Sequence, residues 1–273
     1  MEPTTRDDRV LAPTRWTATL IVPVLTAAFV ILYLFPGRTQ GLWAWTIEPT
    51  MTPMFMGGGY LAGAWFFARV ARTRSGHRAL AGLVGTSLFA TMLLGATILH
   101  WDRFNHDHVS FWAWLALYVV TPPLLPWLWA RNRRTDPGVP SADEVVVPAP
   151  VRAALTVGGS ATLLFALVMF VWPSTVIEHW PWALYPLTAR VLAAFLAFPA
   201  ATMALFGTDV RWSSFQLPAE TATIGLALIL VATFRAGDQF TGSMAGYAAA
   251  LAGALVLLVL LQVAMLRRRP ARG

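Results

Sequence analysis

The chain has 273 residues, 57% of them hydrophobic and only 12% charged, with a formal net charge of +7, 13 tryptophans and no cysteine. That balance excludes an ordinary soluble domain and points to a membrane protein, while the missing cysteine excludes disulfides, thiolate metal sites and thiol catalysis. All 20 basic residues are arginine, which fits a GC-rich codon usage. They flank apolar stretches in short clusters, so the positive charge reads as membrane topology and nucleic acid is not an expected partner.

Residues 1–15 alternate acid and base without an early apolar run and read as an uncleaved cytoplasmic tail. Eight apolar spans follow, near 16–35, 51–70, 79–99, 109–130, 151–172, 188–207, 217–234 and 244–266. Each is close to the roughly 20 residues that cross a bilayer as a helix, and all must be helical, because an open sheet edge is unsatisfied in lipid. The expected fold is therefore all-α, a polytopic integral membrane protein whose partner is the lipid bilayer.

One stretch occurs twice. Trp43-Ala44-Trp45 with Pro49 returns 137 positions later as Trp180-Pro181-Trp182 with Pro186, and Phe35-Pro36 returns as Trp172-Pro173. Asp102-Arg103-Phe104 returns as Asp238-Gln239-Phe240 at an offset of 136. A self-match at a near-fixed offset reads as a duplication. It divides the chain into a first four-helix repeat over 16–130, a linker over 131–150 with the Arg, Asp, Pro and Ser content of a flexible cytoplasmic connection, a second repeat over 151–266, and a basic tail over 267–273. Four spans per copy is an even number, so the repeats insert in parallel.

Counting arginines by side gives 16 on the side of both termini, among them Arg211, Arg269 and Arg272. Arg38, Arg103, Arg190 and Arg235, four in all, lie on the other side. The positive-inside rule then puts both termini in the cytoplasm of a bacterial inner membrane. Prolines 23, 122, 123, 126 and 199 are expected to kink or interrupt their helices, as in transporters whose broken helices line a site. Gly59-x-x-x-Gly63 has the small-residue spacing of a close intrachain helix contact. Glu220, after Pro218, reads as an acid in the first turn of span 7.

The candidate site residues come from the external loops. Trp43, Trp45, Trp180 and Trp182 suit either an interfacial aromatic belt or a cap over a cavity between the repeats. Arg190, at the external end of span 6, suits an ion pair with Glu178, Asp238 or Asp102 or the binding of a carboxylate or phosphate, and Glu48 and Glu178, from loops on the same face, would complete a metal shell with the histidines. Asp102 and Asp238, present in both copies, also suit a shared structural role as helix caps or as partners of Arg103 and Arg235. His100, His106 and His108, in one copy only, offer imidazole ligands for a divalent metal, although their spacing matches no specific zinc signature. Bis-histidine haem would need histidines within the spans, and the phosphate loops and hydrolase motifs of enzymes are not found, so no cofactor is assigned.

The reading that follows is transport or binding of a small molecule in a cavity between the halves, open to the outer face. Two alternatives stand beside it: a scaffold or partner subunit, as a homo-oligomer or within a membrane complex, and a metal-dependent membrane enzyme using the His/Asp loop.

Overall fold

The computed structural model describes residues 6–268, and every regular element among them is helical. Residues 1–5 of the expected tail, and the tail residues Arg269 and Arg272 used in the arginine count, lie outside the described residues. The long helices are α1 (Ala12–Phe29, continued by a π-helical turn Val30–Leu34), α3 (Met51–Arg72), α4 (His77–Leu99), α5 (Val109–Arg133), α6 (Ala149–Val171), α8 (Pro186–Ala204), α9 (Ser213–Arg235) and α10 (Met244–Arg267). Two four-residue helices, α2 (Thr39–Leu42) and α7 (Ser174–Ile177), follow α1 and α6.

Seven of the long helices are long and apolar enough to cross a membrane. The other, α3, has the length at 22 residues but carries Gly57-Gly58-Gly59, Thr52, Tyr60 and Trp65 where its neighbours carry aliphatic chains. Its low apolarity goes with its position, because most of its side chains are buried by other helices. A helix shielded by protein needs less apolar surface than one facing lipid.

The helix packing follows a recurring pattern. Helix α3 lies on α1 and α9, and α8 lies on α6 and α4; α4 also holds α5, α9 also holds α10, and the contacts of α3 with α8 and α4 with α9 close the centre. The glycines make the inner contacts possible. A Cβ on Gly57 would sit 2.9 Å from the backbone nitrogen of Tyr33, in the π-turn that ends α1. One on Gly59 would sit 2.5 Å from the Phe195 ring, and one on Gly58 3.2 Å from Leu228. Phe195, which stands in the second half where glycines stand in the first, thus fills the gap that Gly59 leaves.

The prolines do not interrupt the helices: α5 runs unbroken for 25 residues through Pro122, Pro123 and Pro126. Pro186 opens α8, where its missing N–H costs nothing, and Thr188 reaches back to accept from Tyr185 N at 3.0 Å. Helix α9 begins at Ser213, four residues before the expected start, so Pro218 is internal and Glu220 is not a first-turn acid. Instead Glu220 pairs with Arg69 of α3 at 2.5 Å and accepts from Gln216 at 2.9 Å.

Candidate functional site

The helices run between two ends of opposite character. At one end the loops bearing the Trp-x-Trp pairs meet; at the other, the N-terminal segment, the α3–α4 turn, the join 134–148 and the turn 205–212 meet.

At the tryptophan end each half makes the same pairing. Asn105 N donates to Ala44 O at 2.8 Å, and Thr241 N donates to Pro181 O at 2.9 Å. Trp45 packs edge-on against Phe104 at 5.1 Å, and Trp182 against Phe240 at 5.5 Å. The recurrence of Trp and Phe therefore has a packing reason. Trp43, Trp45 and Trp182 are buried, and Trp180 is half-buried. Trp43 and Trp45 both stand against Trp114, at 5.8 and 5.0 Å, so aromatic rings fill the space beneath this loop. Trp182 donates Nε1–H to Thr52 Oγ1 at 2.9 Å, tying the second loop to the start of α3, while Trp43 and Trp45 have no partner for their indole N–H among the described residues.

The polar candidates separate. Asp102, Asp238, Glu48 and Glu178 are exposed. Asp102 lies 3.6 Å from Arg103 in a solvated pair, and the helix caps fall instead to His108 for α5 and Ser243 for α10. Arg235, the other expected partner, donates to Tyr33 O at 3.1 Å and stacks over the Tyr33 ring. His100 and Arg190 do meet: the guanidinium donates to His100 Nε2 at 2.8 Å, which requires the Nδ1–H tautomer. Burial and the Arg190 charge hold the His100 pKa below its ordinary value.

The three histidines have three separate tasks. His106 packs between Trp101 and Phe111, with its Nε2 buried and unpartnered. His108 accepts from Ser110 N through Nδ1 at 3.2 Å and gives Nε2–H to Gly41 O at 3.0 Å, so both of its nitrogens are committed.

The opposite end carries a polar hub that the sequence did not reveal. Arg211, buried, forks onto Asp136 with NH1–Oδ1 at 2.7 Å and NH2–Oδ2 at 2.9 Å. It also binds Asp209, with Nε–Oδ1 at 3.0 Å and NH2–Oδ2 at 2.7 Å. Burial alone raises the two carboxyls, but the guanidinium outweighs it and holds both below the usual carboxylate range.

Beside this fork runs a chain through Asp8, His77, Ser213 and Glu144. The Asp8 backbone sits in the left-handed region at φ 46°, which aspartate tolerates. Its carboxylate accepts from His77 N at 3.0 Å and faces Nδ1 at 2.6 Å. For Asp8 too, burial raises the pKa and the His77 hydrogen bonds overcome it, leaving it lowered. His77 Nε2 lies 2.7 Å from Ser213 Oγ, and Ser213 gives its proton to Glu144 Oε2 at 2.6 Å. The join is held down by the same contacts, by Val147 N to Val210 O at 2.9 Å and by Trp212 N to Val145 O at 2.9 Å, so a segment with the composition of a flexible linker docks on the helices.

Two chemistries suggest themselves here, and neither fits. Asp8, His77 and Ser213 have the contacts of a Ser-His-Asp triad, yet Ser213 is buried and Glu144 occupies both its hydroxyl and its backbone N–H, where an oxyanion would have to be stabilised. Ligand atoms of Asp8, His77 and Asp136 lie within 4.8 Å of one another. The Arg211 fork sits on both Asp136 oxygens, and its positive charge opposes a cation at the same carboxylate.

What the hub does frame is a cavity of about 360 Å³. Leu80, Val84, Leu205 and Phe215 form apolar wall; His77, Asp136, Asp209, Arg211 and Ser214 form polar wall; Arg6, Trp129 and Arg133 stand at its side. No protein-family model matches the chain, and neither a curated protein nor a solved structure is significantly similar to it. The fold is all-helical, with seven helices able to span a bilayer among the described residues, and is compatible with a multi-pass membrane protein.

Proposed function

We propose that this chain is a multi-pass protein of a bacterial cytoplasmic membrane, crossing it eight times as two parallel four-helix halves, and that it binds or transports a small molecule in the cavity between them. The arginine-rich end and both termini face the cytoplasm in this reading, supported by the 16 to 4 split of arginines. The duplication is supported by the matched pairings Asn105–Ala44 and Thr241–Pro181 and by the shared order of long and short helices. The crossing by α3 is supported by its length and by the protein that shields it.

The observation that carries the ligand reading is the cavity wall, which draws on α4 and α5 of one half and on the α8–α9 turn of the other. A buried charged fork fixed on one side and aliphatic surface on the other is the lining of a ligand site. The site therefore belongs at the cytoplasmic end, not beneath the outer tryptophan loops. Thermal unfolding of the purified protein in lipid nanodiscs, with small charged metabolites added in turn, tests this beside Leu80→Trp, which fills the cavity. A ligand that raises the melting temperature of the wild type and not of Leu80→Trp supports the site; equal shifts in both proteins remove it.

A second reading is a partner subunit. Helix α10 turns Val256, Leu257, Leu260 and Val263 outward and contributes little to the interior. A stoichiometric membrane protein that co-purifies, and is lost when Leu257 and Leu260 become alanine, would favour it.

A further inference from the structure

We infer that the mouth of the cavity, formed by Arg6, Arg133 and Arg134 around Trp129, is a binding site for a phosphate monoester or diester, with the apolar part of the ligand directed inward. This rests on the reading of the cavity as a ligand site and names the class of ligand. A groove of about 350 Å³ is lined by these four residues and Ala130, and it shares Arg6, Trp129 and Arg133 with the inner cavity, so the two spaces adjoin.

The arginines of the chain differ in how their charge is met. Arg211 is neutralised by two carboxylates and Arg69 by Glu220. Among the described residues, Arg6, Arg133 and Arg134 have no carboxylate within 4.0 Å. Arg6 donates to the Asp136 carbonyl at 3.0 Å, which fixes its direction. Arg133 lies over the Trp129 ring at 5.1 Å, which orients the guanidinium plane by stacking. Three positive forks around one concave space suit a tetrahedral oxyanion bearing several acceptor oxygens.

Other described arginines also lack a carboxylate; what sets Arg6, Arg133 and Arg134 apart is that they line one groove together with the Trp129 indole. Depth points the same way. The groove lies at the last turn of α5, at the level of lipid headgroups if α5 crosses the bilayer, and beyond it the wall turns to Leu80, Val84 and Leu205. The phosphate has two sources there, the headgroup of an anionic lipid or a soluble phosphorylated molecule.

The test compares the wild type, Arg6→Gln/Arg133→Gln/Arg134→Gln, and a control of equal charge change, Arg72→Gln/Arg74→Gln/Arg268→Gln. All six arginines are exposed, and the ligand-free unfolding temperature of each triple variant checks that it folds. One arm places the proteins in phosphatidylcholine nanodiscs with graded phosphatidylglycerol and counts retained lipid by mass spectrometry. The other adds inorganic phosphate to lipid-free detergent protein and follows thermal unfolding. Binding at least tenfold weaker in the mouth variant, with the control unchanged, is the expected result. Its appearance in the phosphatidylglycerol arm assigns a lipid headgroup, and in the phosphate arm a soluble ligand. Equal loss in both triple variants, or no binding in either arm, overturns the inference. Leu80→Trp separates the two levels: an inner ligand lost in Leu80→Trp but kept by the mouth variant leaves the cavity standing and removes the phosphate site.

Discussion

Replacing Arg211 with methionine removes one guanidinium and strands two carboxylates. Asp136 and Asp209 are both held within 3.1 Å of Arg211 nitrogens, and the side chains of Arg211, Asp136 and Asp209 retain only 5%, 10% and 22% of their accessible surface. Breaking a buried ion pair by deleting one partner costs about 3–5 kcal/mol, since the remaining charge loses its partner without regaining water. The expected loss for Arg211→Met is in that range. It must also depend on pH: without the guanidinium, burial and mutual repulsion raise both carboxyls, so the variant recovers stability as pH falls from 7 towards 5. Neutralising the acids as well, in Arg211→Met/Asp136→Asn/Asp209→Asn, should restore at least half of the loss. Equilibrium unfolding in mixed micelles, titrated with sodium dodecyl sulfate at pH 7 and pH 5, measures all three proteins. A single variant within about 1 kcal/mol of wild type, or a triple variant no better than the single, would refute the hub as a buried charge network.

Other outcomes follow from the same geometry. In the wild type, Asp8, Asp136 and Asp209 all have lowered pKa values, so their contribution is complete above the ordinary aspartate value of about 3.9 and is lost as pH falls through the lowered ones; unfolding midpoints from pH 6 to pH 2 report it. His100 is a base with a lowered pKa, so its contribution is complete at pH 8 and declines as pH falls below about 6.5, and His100→Gln should flatten that part of the profile. Gly57→Ala drives a methyl group against the Tyr33 backbone and should cost about 1–3 kcal/mol, whereas Gly253→Ala, with nothing within 4 Å, should be tolerated. Trp182→Phe forfeits the bond to Thr52 and should cost about 1 kcal/mol more than Trp45→Phe, whose indole N–H has no partner to lose.

How much was legible in the sequence depended on the range of the interaction. The helices announced themselves through local apolarity, and α4, α5, α6 and α10 lie within a few residues of their expected limits. The start of α9 was misjudged because Ser213, Ser214 and Gln216 are hydrophilic, and hydropathy cannot see a polar first turn capped by Glu144. The repeated loops were visible as words, Trp-x-Trp and Asp-x-Phe, but which letters matter was not. The aromatic residues pack and the loop backbones pair, while Asp102 and Asp238 face solvent. The histidines were close in sequence and suggested one site, yet His100 turns to Arg190, His106 to Phe111 and His108 to Gly41.

The hub was hidden for the opposite reason. Asp136 and Arg211 are 75 residues apart, and no local pattern joins them. Arg211 counted only as one more topogenic arginine. A signal was present in the acids Asp8, Asp136, Glu144 and Asp209, which lie in loops on the arginine-rich side.

The most direct test of the whole account is the sidedness of the two ends. The chain has no cysteine, so single cysteines can be placed at the exposed positions Asp7, Ser141 and Arg268 of the arginine end and at Asp107 and Thr241 of the tryptophan end. With a membrane-impermeant maleimide on intact cells, eight crossings with a cytoplasmic cavity predict labelling at Asp107→Cys and Thr241→Cys alone, with Asp7→Cys, Ser141→Cys and Arg268→Cys labelled only after permeabilisation. Labelling of Asp7→Cys and Arg268→Cys from opposite sides would contradict an even number of crossings, and labelling of Ser141→Cys on intact cells would put the hub and its cavity outside.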